Sequence, residues 1–180
     1  MTPQPVPTIR QLTAPELAQH CPALSDILVT TVEAGASVGF ILPFTADDAA
    51  AFWNNRVFPA VQRGAVRLFG AFVQDDVLVG TVQLSLAMPA NQPHRADVAK
   101  LLVHPRARRA GLGRSLMLTL EAEARQLGKT LLVLDTRSGD PSQRLYESLG
   151  YRVAGSVPGF CRHPSAEIYE ATTYLYKALT

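Results

Sequence analysis

The chain has 180 residues, of which 47% are hydrophobic and 18% are charged, and its net charge is +2 at neutral pH. The length is that of one ordinary domain, and the composition excludes a disordered chain and a general polyanion binder. We therefore expect a single domain over residues 1–180, with a flexible tail at residues 1–7.

The cysteines and the N-terminus indicate the compartment. Cys21 and Cys161 are far apart and form no disulfide framework, which fits a reducing compartment. The chain shows neither a signal peptide nor an apolar stretch near the roughly 20 residues of a membrane span. Cys161 and His163 have no second pair of ligands, so we expect no metal site. We predict a cytoplasmic monomer or homodimer with no nucleic-acid or membrane partner.

Hydrophobic periodicity and turn residues divide the chain into short strands and helices. Pro22 predicts an interruption in the first helix near Cys21, because proline removes a backbone donor. Thr45, with Asp48 three residues later, predicts the N-terminus of the second helix. In chain order we expect strand 8–13, helix 14–34, loop 35–44, helix 45–63, strands 65–73, 77–88 and 95–103, helix 111–127, strand 130–134, helix 141–149, and strands 151–157 and 169–178.

The order of these elements predicts one mixed sheet in an α/β (α+β mixed) domain. Residues 65–88 form an antiparallel hairpin in this interpretation, and the apolar run 130–134 suits a strand buried on both faces. Glu121 and Arg125 are expected to form an exposed i,i+4 pair on the longest helix.

A glycine-containing turn follows the strand that ends at Val103. Gly111 and Gly113 leave room for a ligand, and the helix that begins there presents unpaired N–H groups and the positive end of its dipole. This arrangement is typical of a phosphate site. Positive charge around the turn comes from Arg106, Arg108, Arg109 and Arg114.

Two better-known phosphate motifs are absent from this turn. A dinucleotide-binding fingerprint needs glycine where Leu116 stands, and a P-loop ending at residues 128–130 needs glycine where Glu123 stands. A helix cap without any ligand remains an alternative on spacing alone.

Two motifs resemble those of the GCN5-related N-acetyltransferases (GNAT). Arg108, Gly111 and Gly113 match R/Q-x-x-G-x-G/A, and the segment LYESLGY at 145–151 is similar to LY-x-x-x-G-F/Y. The resemblance covers residues 8–180, and the second half looks closest to a small-amine branch that includes tabtoxin-resistance acetyltransferases. It implies about seven strands, splayed between the fourth and fifth, with about four helices. It also implies acetyl-CoA as co-substrate and a small-molecule primary amine as acceptor.

The resemblance implies the residues that hold acetyl-CoA. The turn's backbone N–H groups would bind the pyrophosphate, and the pantetheine arm would pair with Leu101 and Val103, with an N–H near Leu102 or Val103 facing the oxyanion. Many members carry an asparagine before the short helix, where this chain offers only Asp140 or Ser142. The residues implied are Leu101, Leu102, Val103, Arg108, Arg109, Ala110, Gly111, Leu112, Gly113, Arg114, Ser115, Ser142 and Tyr146.

The resemblance also indicates the residues that move protons. Tyr146 is the candidate general acid, because its ordinary pKa near 10 keeps it protonated at neutral pH. A core tyrosine with a satisfied hydroxyl is the alternative.

Two carboxylates are candidates for the base or the amine anchor. Strand alternation places Asp97 on one face with Leu101 and Val103, and Asp135 ends the next strand. Both could instead be solvated strand-end groups or partners of arginines, namely Arg95 and Arg137.

The acceptor site is implied to lie between residues 33–44 and 157–167. Phe52 and Trp53 are interpreted as helix core instead. The residues expected to contact the substrate are Glu33, Phe40, Phe160 and His163, of which Glu33 is the weaker candidate.

Two other functions remain as alternatives. A non-catalytic acyl-CoA-binding protein would keep the fold without the chemistry. A serine hydrolase would use Ser37 of the G-x-S-x-G segment 35–39, with Asp135 and His163 in hydrolase order. The expected strand–turn–helix context of such a serine is missing, because helix is predicted before it and none after it.

Overall fold

The computed structural model describes residues 7–179 and shows a seven-stranded sheet with helices on both faces. The strands are β1 (Thr8–Gln11), β2 (Val66–Val73), β3 (Val77–Ser85), β4 (Arg95–Val103), β5 (Leu131–Arg137), β6 (Arg152–Arg162) and β7 (Tyr169–Ala178). The helices are α1 (Leu17–Glu33), α2 (Ala46–Phe52), α3 (Phe58–Gln62), α4 (Leu112–Gln126) and α5 (Pro141–Ser148). Of the tail expected at residues 1–7, all but Pro7 lies outside the described residues.

The sheet has the order β1-β2-β3-β4-β5-β7-β6. Every neighbouring pair is antiparallel except β4 and β5, which are parallel. This arrangement confirms the predicted mixed, mostly antiparallel sheet.

Two hydrophobic layers hold the helices on the sheet. On one face, α1, α2 and α3 pack on Leu68 and Phe72, and Trp53 is fully buried among them. On the other face, α4 and α5 cover Leu84 and Leu132. The alternation of side chains along each strand supplies both layers.

The first helix is not interrupted as predicted. A 3-10 turn leads into α1, which continues through Pro22 to Glu33. The carbonyl of Ala18 loses its donor at Pro22, but both residues lie on the exposed side of the helix, where water can satisfy it. The expected break near Cys21 was therefore wrong.

The second helix begins as predicted and contains an unpredicted wide turn. The Thr45 side chain accepts a hydrogen bond from the Asp48 N–H at 3.2 Å. Helix α2 then passes through a π-helical turn, Trp53–Val57, into α3, with the Phe58 N–H bonded to the Trp53 carbonyl. The wide turn directly precedes Pro59, which has no N–H to continue a regular α-helix.

Removing the Thr45 hydroxyl should weaken this helix start. We expect Thr45→Ala to lower the free energy of unfolding by about 1 kcal/mol, the usual value of an N-terminal cap. Urea denaturation measures this difference. Thr8→Ala, on the edge strand β1, is the control and should change stability less, whereas equal losses in the two variants would contradict the capping role.

One residue of the pair predicted on the exposed side of α4 is buried. Glu121 is 1% exposed, and its Oε2 accepts a hydrogen bond from Lys177 Nζ at 2.6 Å. Arg125 is only a more distant partner, at 3.7 Å. A buried carboxylate needs a close opposite charge, and β7 supplies it from a residue far along the chain.

Two strands continue further than predicted. β5 reaches Arg137 and β6 reaches Arg162, because their last residues pair with Thr172 and Tyr169 of β7. The apolar residues of β5 alternate between half-buried and buried, so the expected burial on both faces was wrong.

Candidate active site

The sheet opens between its two parallel strands. Backbone pairing between β4 and β5 ends at Asp97 and Val133, although the strands continue to Val103 and Arg137. This confirms the expected splay. The edge of β4 beyond Asp97 is therefore available to hydrogen-bond a ligand in the gap.

Backbone groups of β4 point into this gap. The His104 N–H donates to the Val79 carbonyl of β3 at 2.8 Å. Because hydrogen-bonded and non-bonded positions alternate in an antiparallel pair, the Val103 N–H points away from β3 and towards the gap. The carbonyl of Val103 accepts a bond from Arg108 Nε at 3.2 Å.

A β-bulge interrupts β4 just beyond the split. Lys100 and Leu101 together oppose Val82 of β3, where the register shifts. Lys100 adopts a positive φ of 51°, which is uncommon for a residue with a side chain. Such bulges redirect side chains and are frequent beside active sites.

The bulge reverses the alternation of side chains along β4. Ala96 and Val98 pack under α4, so Asp97 between them faces the other side of the sheet. After the extra residue, Leu101 and Val103 pack on the α4 side. The prediction that Asp97 shares their face was therefore wrong, because the extra residue shifts the pattern by one.

The glycine-containing turn forms an open cradle at the start of α4. Gly111 precedes the helix with a φ of 76°, and a Cβ placed on it would meet no atom within 4 Å. The first helical bond is from the Ser115 N–H to the Gly111 carbonyl at 3.1 Å. The N–H groups of residues 112–114 therefore have no partner within the helix. The exposed arginines around this cradle are Arg106, Arg108, Arg109 and Arg114.

Gly113 lies where the two sequence motifs pack against each other. A Cβ on Gly113 would lie 3.2 Å from Leu145 of α5, so this glycine permits close packing of the two helices. Arg114 donates to the Ser148 hydroxyl at 2.6 Å across the same contact. The two segments that resemble the family are therefore in direct contact.

The other residues expected in this turn differ in what they expose. Arg109 and Ala110 are exposed, and Arg109 has a positive φ of 64°. The Leu112 side chain is buried, so only its backbone faces the turn. The Ser115 hydroxyl hydrogen-bonds the Gly111 carbonyl at 3.3 Å.

Tyr146 is a buried tyrosine of α5. It is 6% exposed, and its ring centroid lies 5.8 Å from that of Tyr151. Burial raises the pKa of Tyr146, and the negative charge of Asp135 raises it further. The hydroxyl therefore stays protonated at neutral pH, as a proton donor must.

The two candidate carboxylates have different surroundings. Asp97 hydrogen-bonds Arg95, so the alternative of an arginine partner holds for this residue. Among residues 7–179, Asp135 has no such partner, because Arg137 binds Asp140 instead, at 2.9 Å. Loss of hydration raises the pKa of Asp135, Lys100 opposes this rise and Asp97 adds to it.

A cavity of about 720 Å³ lies on the face to which the bulge directs Lys100. Phe40 and Phe44 stack with ring centroids 4.5 Å apart, and Phe52 meets Phe40 edge-on at 5.2 Å. Arg56 lines the same cavity from the π-helical turn. Trp53 is core as predicted, whereas Phe52 is half-buried and lines this cavity.

The two segments expected to wall the acceptor site meet in the structure. The Leu42 N–H donates to the Pro164 carbonyl at 2.9 Å, and the His163 ring lies 3.8 Å from where a Cβ on Gly35 would be. Arg137 of β5 stabilises the first of these segments, residues 33–44, by donating a hydrogen bond to the Gly35 carbonyl at 3.0 Å. Sequence reasoning missed this role of Arg137.

The remaining expected substrate residues are exposed. Phe160 of β6 meets Tyr174 edge-on at 5.9 Å, and Tyr174 pairs directly with Asp135. Phe160 is therefore on the same side of the sheet as Asp135. Glu33 ends α1 and is exposed, with no contact that links it to the cavity.

Two polar residues stand where an asparagine is common in the resembled family. Ser142 hydrogen-bonds Thr136 at 2.7 Å. Asp140 precedes α5 and binds Arg137. Both side chains thus already have partners within the protein.

The G-x-S-x-G segment lies in an irregular loop. It follows α1 and does not open a helix, so Ser37 lacks the strand–turn–helix setting of a hydrolase nucleophile. The hydrolase alternative therefore loses its structural support.

Within residues 7–179, His, Cys, Asp and Glu side chains form no group of three or more that could hold a metal ion. No helix in this part of the chain is long and apolar enough to cross a membrane.

The sequence matches a family and a curated relative. The Acetyltransferase (GNAT) family matches residues 34–151. An uncharacterized N-acetyltransferase in the hisH-hisA intergenic region of Azospirillum brasilense is 31% identical over 173 residues, covering 95% of each chain. The chain belongs to the GNAT acetyltransferase family. The resemblance predicted from the two motifs is thus confirmed, and with it an N-acetyltransferase that uses acetyl-CoA.

Solved structures share the fold of this GNAT acetyltransferase. The yncA protein of Salmonella typhimurium, solved with its cofactor acetyl-CoA, aligns with a TM-score of 0.76 at 22% identity, over 98% of this chain and 95% of its own. A GCN5-related N-acetyltransferase from Kribbella flavida aligns with a TM-score of 0.77 at 22% identity, over 96% and 98% of the two chains.

Proposed function

We propose that this GNAT acetyltransferase moves the acetyl group of acetyl-CoA to a primary amine of a small molecule, by direct attack of the amine on the thioester. The observation that carries the proposal is the gap between β4 and β5. Beyond the split, Lys100 of β4 lines the cavity of Phe40. The charge of Asp135 of β5 acts on the buried Tyr146. Cofactor and acceptor would enter from opposite sides of one sheet.

The turn before α4 fits a diphosphate. Its cradle at Gly111 has the open space that a Cβ would fill, and unpaired N–H groups surround it. Arg108 and Arg109 would add charge there, and the backbone of Leu101 and Val103 would pair with the pantetheine arm. The side chain of Leu102 belongs to the core, so only its backbone would take part.

The chain's own groups account for the chemistry. Acetyl-CoA supplies an activated acetyl group as a thioester. The Val103 N–H, which points into the gap, would stabilise the developing negative charge on the acetyl oxygen, a contribution of about 3–4 kcal/mol for such donors. The Tyr146 hydroxyl would protonate the departing thiolate, and Asp135 would take the proton of the amine.

Asp135 should control the acidic side of the pH profile. A carboxylate accepts a proton only when ionised, so kcat/KM for the amine should fall as the pH drops through the pKa of Asp135, which lies above the ordinary value near 4. Asp135→Asn should remove this fall at low pH and lower kcat/KM roughly tenfold. The loss should be smaller than the usual contribution of a general base, because water reaches the site and can accept the proton instead. Steady-state kinetics across pH measure both effects.

Asp97→Asn is the matched variant. Because Asp97 already hydrogen-bonds Arg95, its loss should alter the amine kinetics less than the loss of Asp135. If both variants keep the wild-type pH profile, neither carboxylate is the base.

A panel of amines tests the proposed function directly. Free thiol released from acetyl-CoA is measured with small amines, amino acids, polyamines, amine antibiotics and a peptide N-terminus. Turnover with a small amine is the expected result. Coenzyme binding without turnover of any amine would favour the non-catalytic alternative.

A further inference from the structure

Lys100 places a primary amine of the protein itself in the proposed acceptor cavity. Its Nζ lies 5.8 Å from the ring centroid of Phe40 and 5.7 Å from that of Phe52. Both rings line the cavity of about 720 Å³, and Lys100 is half-buried between them. The β4 bulge, with its positive φ at Lys100, directs the side chain there.

The same bulge places Lys100 beside the gap in the sheet. Asp97 makes the last β4–β5 pair, and Lys100 follows it three residues later on a strand edge that β5 no longer covers. In the proposed function, which this inference rests on, the thioester lies in that gap. The amine of Lys100 is therefore close to the position that an acceptor amine must occupy.

The surroundings favour the reactive, uncharged form of this amine. Burial lowers the pKa of Lys100, and the charge of Asp135 only partly offsets this effect. None of the ion pairs within residues 7–179 includes Lys100. Asp135 is near enough to influence the charge of the amine.

The other two lysines differ from Lys100 in their position and in having close polar partners. Lys177 is held by the buried Glu121 at 2.6 Å. Lys129 donates to the Pro93 carbonyl at 2.7 Å, on the surface beyond the end of α4. The chain has only these three lysines, so an acetylated position can be assigned without ambiguity.

We propose that Lys100 is a self-acetylation site, modified by the bound acyl thioester when the acceptor cavity is empty. The lone pair of Nζ forms the new C–N bond and the C–S bond breaks. The coenzyme leaves as a thiolate that takes up a proton, and the amine gives its proton to Asp135 or to water. The product is a neutral amide that occupies part of the acceptor cavity.

The experiment follows the three lysines by peptide mass spectrometry. Wild-type protein is incubated with acetyl-CoA and no acceptor amine. We expect Lys100 to gain an acetyl group at least about tenfold faster than Lys129, because only Lys100 is positioned beside the donor. The rate at Lys100 should also level off below the pH expected for a free lysine, whose pKa is about 10.4, because burial lowers the pKa of Lys100. Equal rates, or faster acetylation of Lys129, would overturn the proposal.

Two donors and one inhibitor separate site-directed from general reactivity. Desulfo-CoA, which lacks the thioester, should suppress acetylation of Lys100 and leave Lys129 unchanged. Acetyl phosphate, which lacks the coenzyme, should not reproduce the preference for Lys100. A preference that persists with desulfo-CoA or with acetyl phosphate would show general reactivity and overturn the proposal.

Variants supply a second measurement. Lys129→Arg should retain the fast gain of one acetyl group by intact mass, and Lys100→Arg should lose it. If Lys100→Arg does not fold, the peptide map of the wild-type protein decides. Calorimetry with desulfo-CoA distinguishes a failure of this inference from a failure of the proposed function. Binding without a preference for Lys100 overturns this inference alone, whereas absence of binding overturns the proposed function as well.

Discussion

Replacing Tyr146 by phenylalanine should lower kcat by about 1000-fold, within the range of general acid catalysis, with little change in the KM for acetyl-CoA. The hydroxyl is the only group that the substitution removes, and the buried ring should keep its packing in α5. Because burial and Asp135 raise the pKa of Tyr146, wild-type kcat should not fall through ionisation of this hydroxyl at mildly alkaline pH. Free-thiol release at saturating amine and coenzyme measures the loss.

Tyr151→Phe is the matched control for that variant. Tyr151 is also buried, at 3% exposure, and its ring lies 5.8 Å from Tyr146, but its pKa is raised by burial and by Glu121 on the side of α4. Its loss should leave kcat near the wild-type value. An unchanged kcat in Tyr146→Phe, or equal losses in both variants, would remove Tyr146 from the mechanism.

Placing valine at Gly111 should weaken coenzyme binding by about 100-fold, the equivalent of losing a hydrogen bond or two to a charged group. The new side chain would fill the open cradle at the start of α4, where a Cβ meets no protein atom. It would also force a branched residue into a φ of 76°, at a cost of about 1–2 kcal/mol in folding stability. Titration calorimetry with acetyl-CoA and urea denaturation measure the two effects separately.

Gly128→Val isolates the binding effect from the strain. Gly128 follows the other end of α4 with a φ of 71°, and a Cβ there also meets nothing within 4 Å. Both variants should lose similar folding stability, but only Gly111→Val should lose affinity for the coenzyme. Equal affinities in the two variants would show that the turn does not hold the diphosphate.

Local sequence signals predicted most of the fold. β4 and β7 have the predicted limits. The end of β4 is marked by His104 and Pro105, because a proline cannot continue the hydrogen bonds of a strand. The Thr45 cap was also predicted, since its partner Asp48 is three residues away. These features depend on neighbours in sequence, which is why they can be identified without the structure.

Two of the errors come from a contact between distant segments and from a single inserted residue. Glu121 is buried only because Lys177 reaches it from another element. The bulge at Lys100 adds one residue to β4, and no composition signal distinguishes it from regular alternation. A lysine within the apolar run 98–103 was the available clue that this strand faces something other than core.

The candidate site was likewise predicted only in part. The motifs identified the turn and α5, and they predicted the family that the comparisons confirm. Phe40 was predicted at the acceptor site and lines the cavity. The other walls could not be predicted, because the wide turn after Phe52 directs Arg56 into the cavity and the bulge in β4 brings Lys100 there. The roles of Tyr146 and Asp135 stay predictions until the variants are measured.

If the turn before α4 and the gap beside β4 hold acetyl-CoA, titration calorimetry of the wild-type protein with this coenzyme should show saturable binding of one molecule per chain. The binding should be weaker in Gly111→Val. No binding at millimolar coenzyme would show that these two features do not form the coenzyme site.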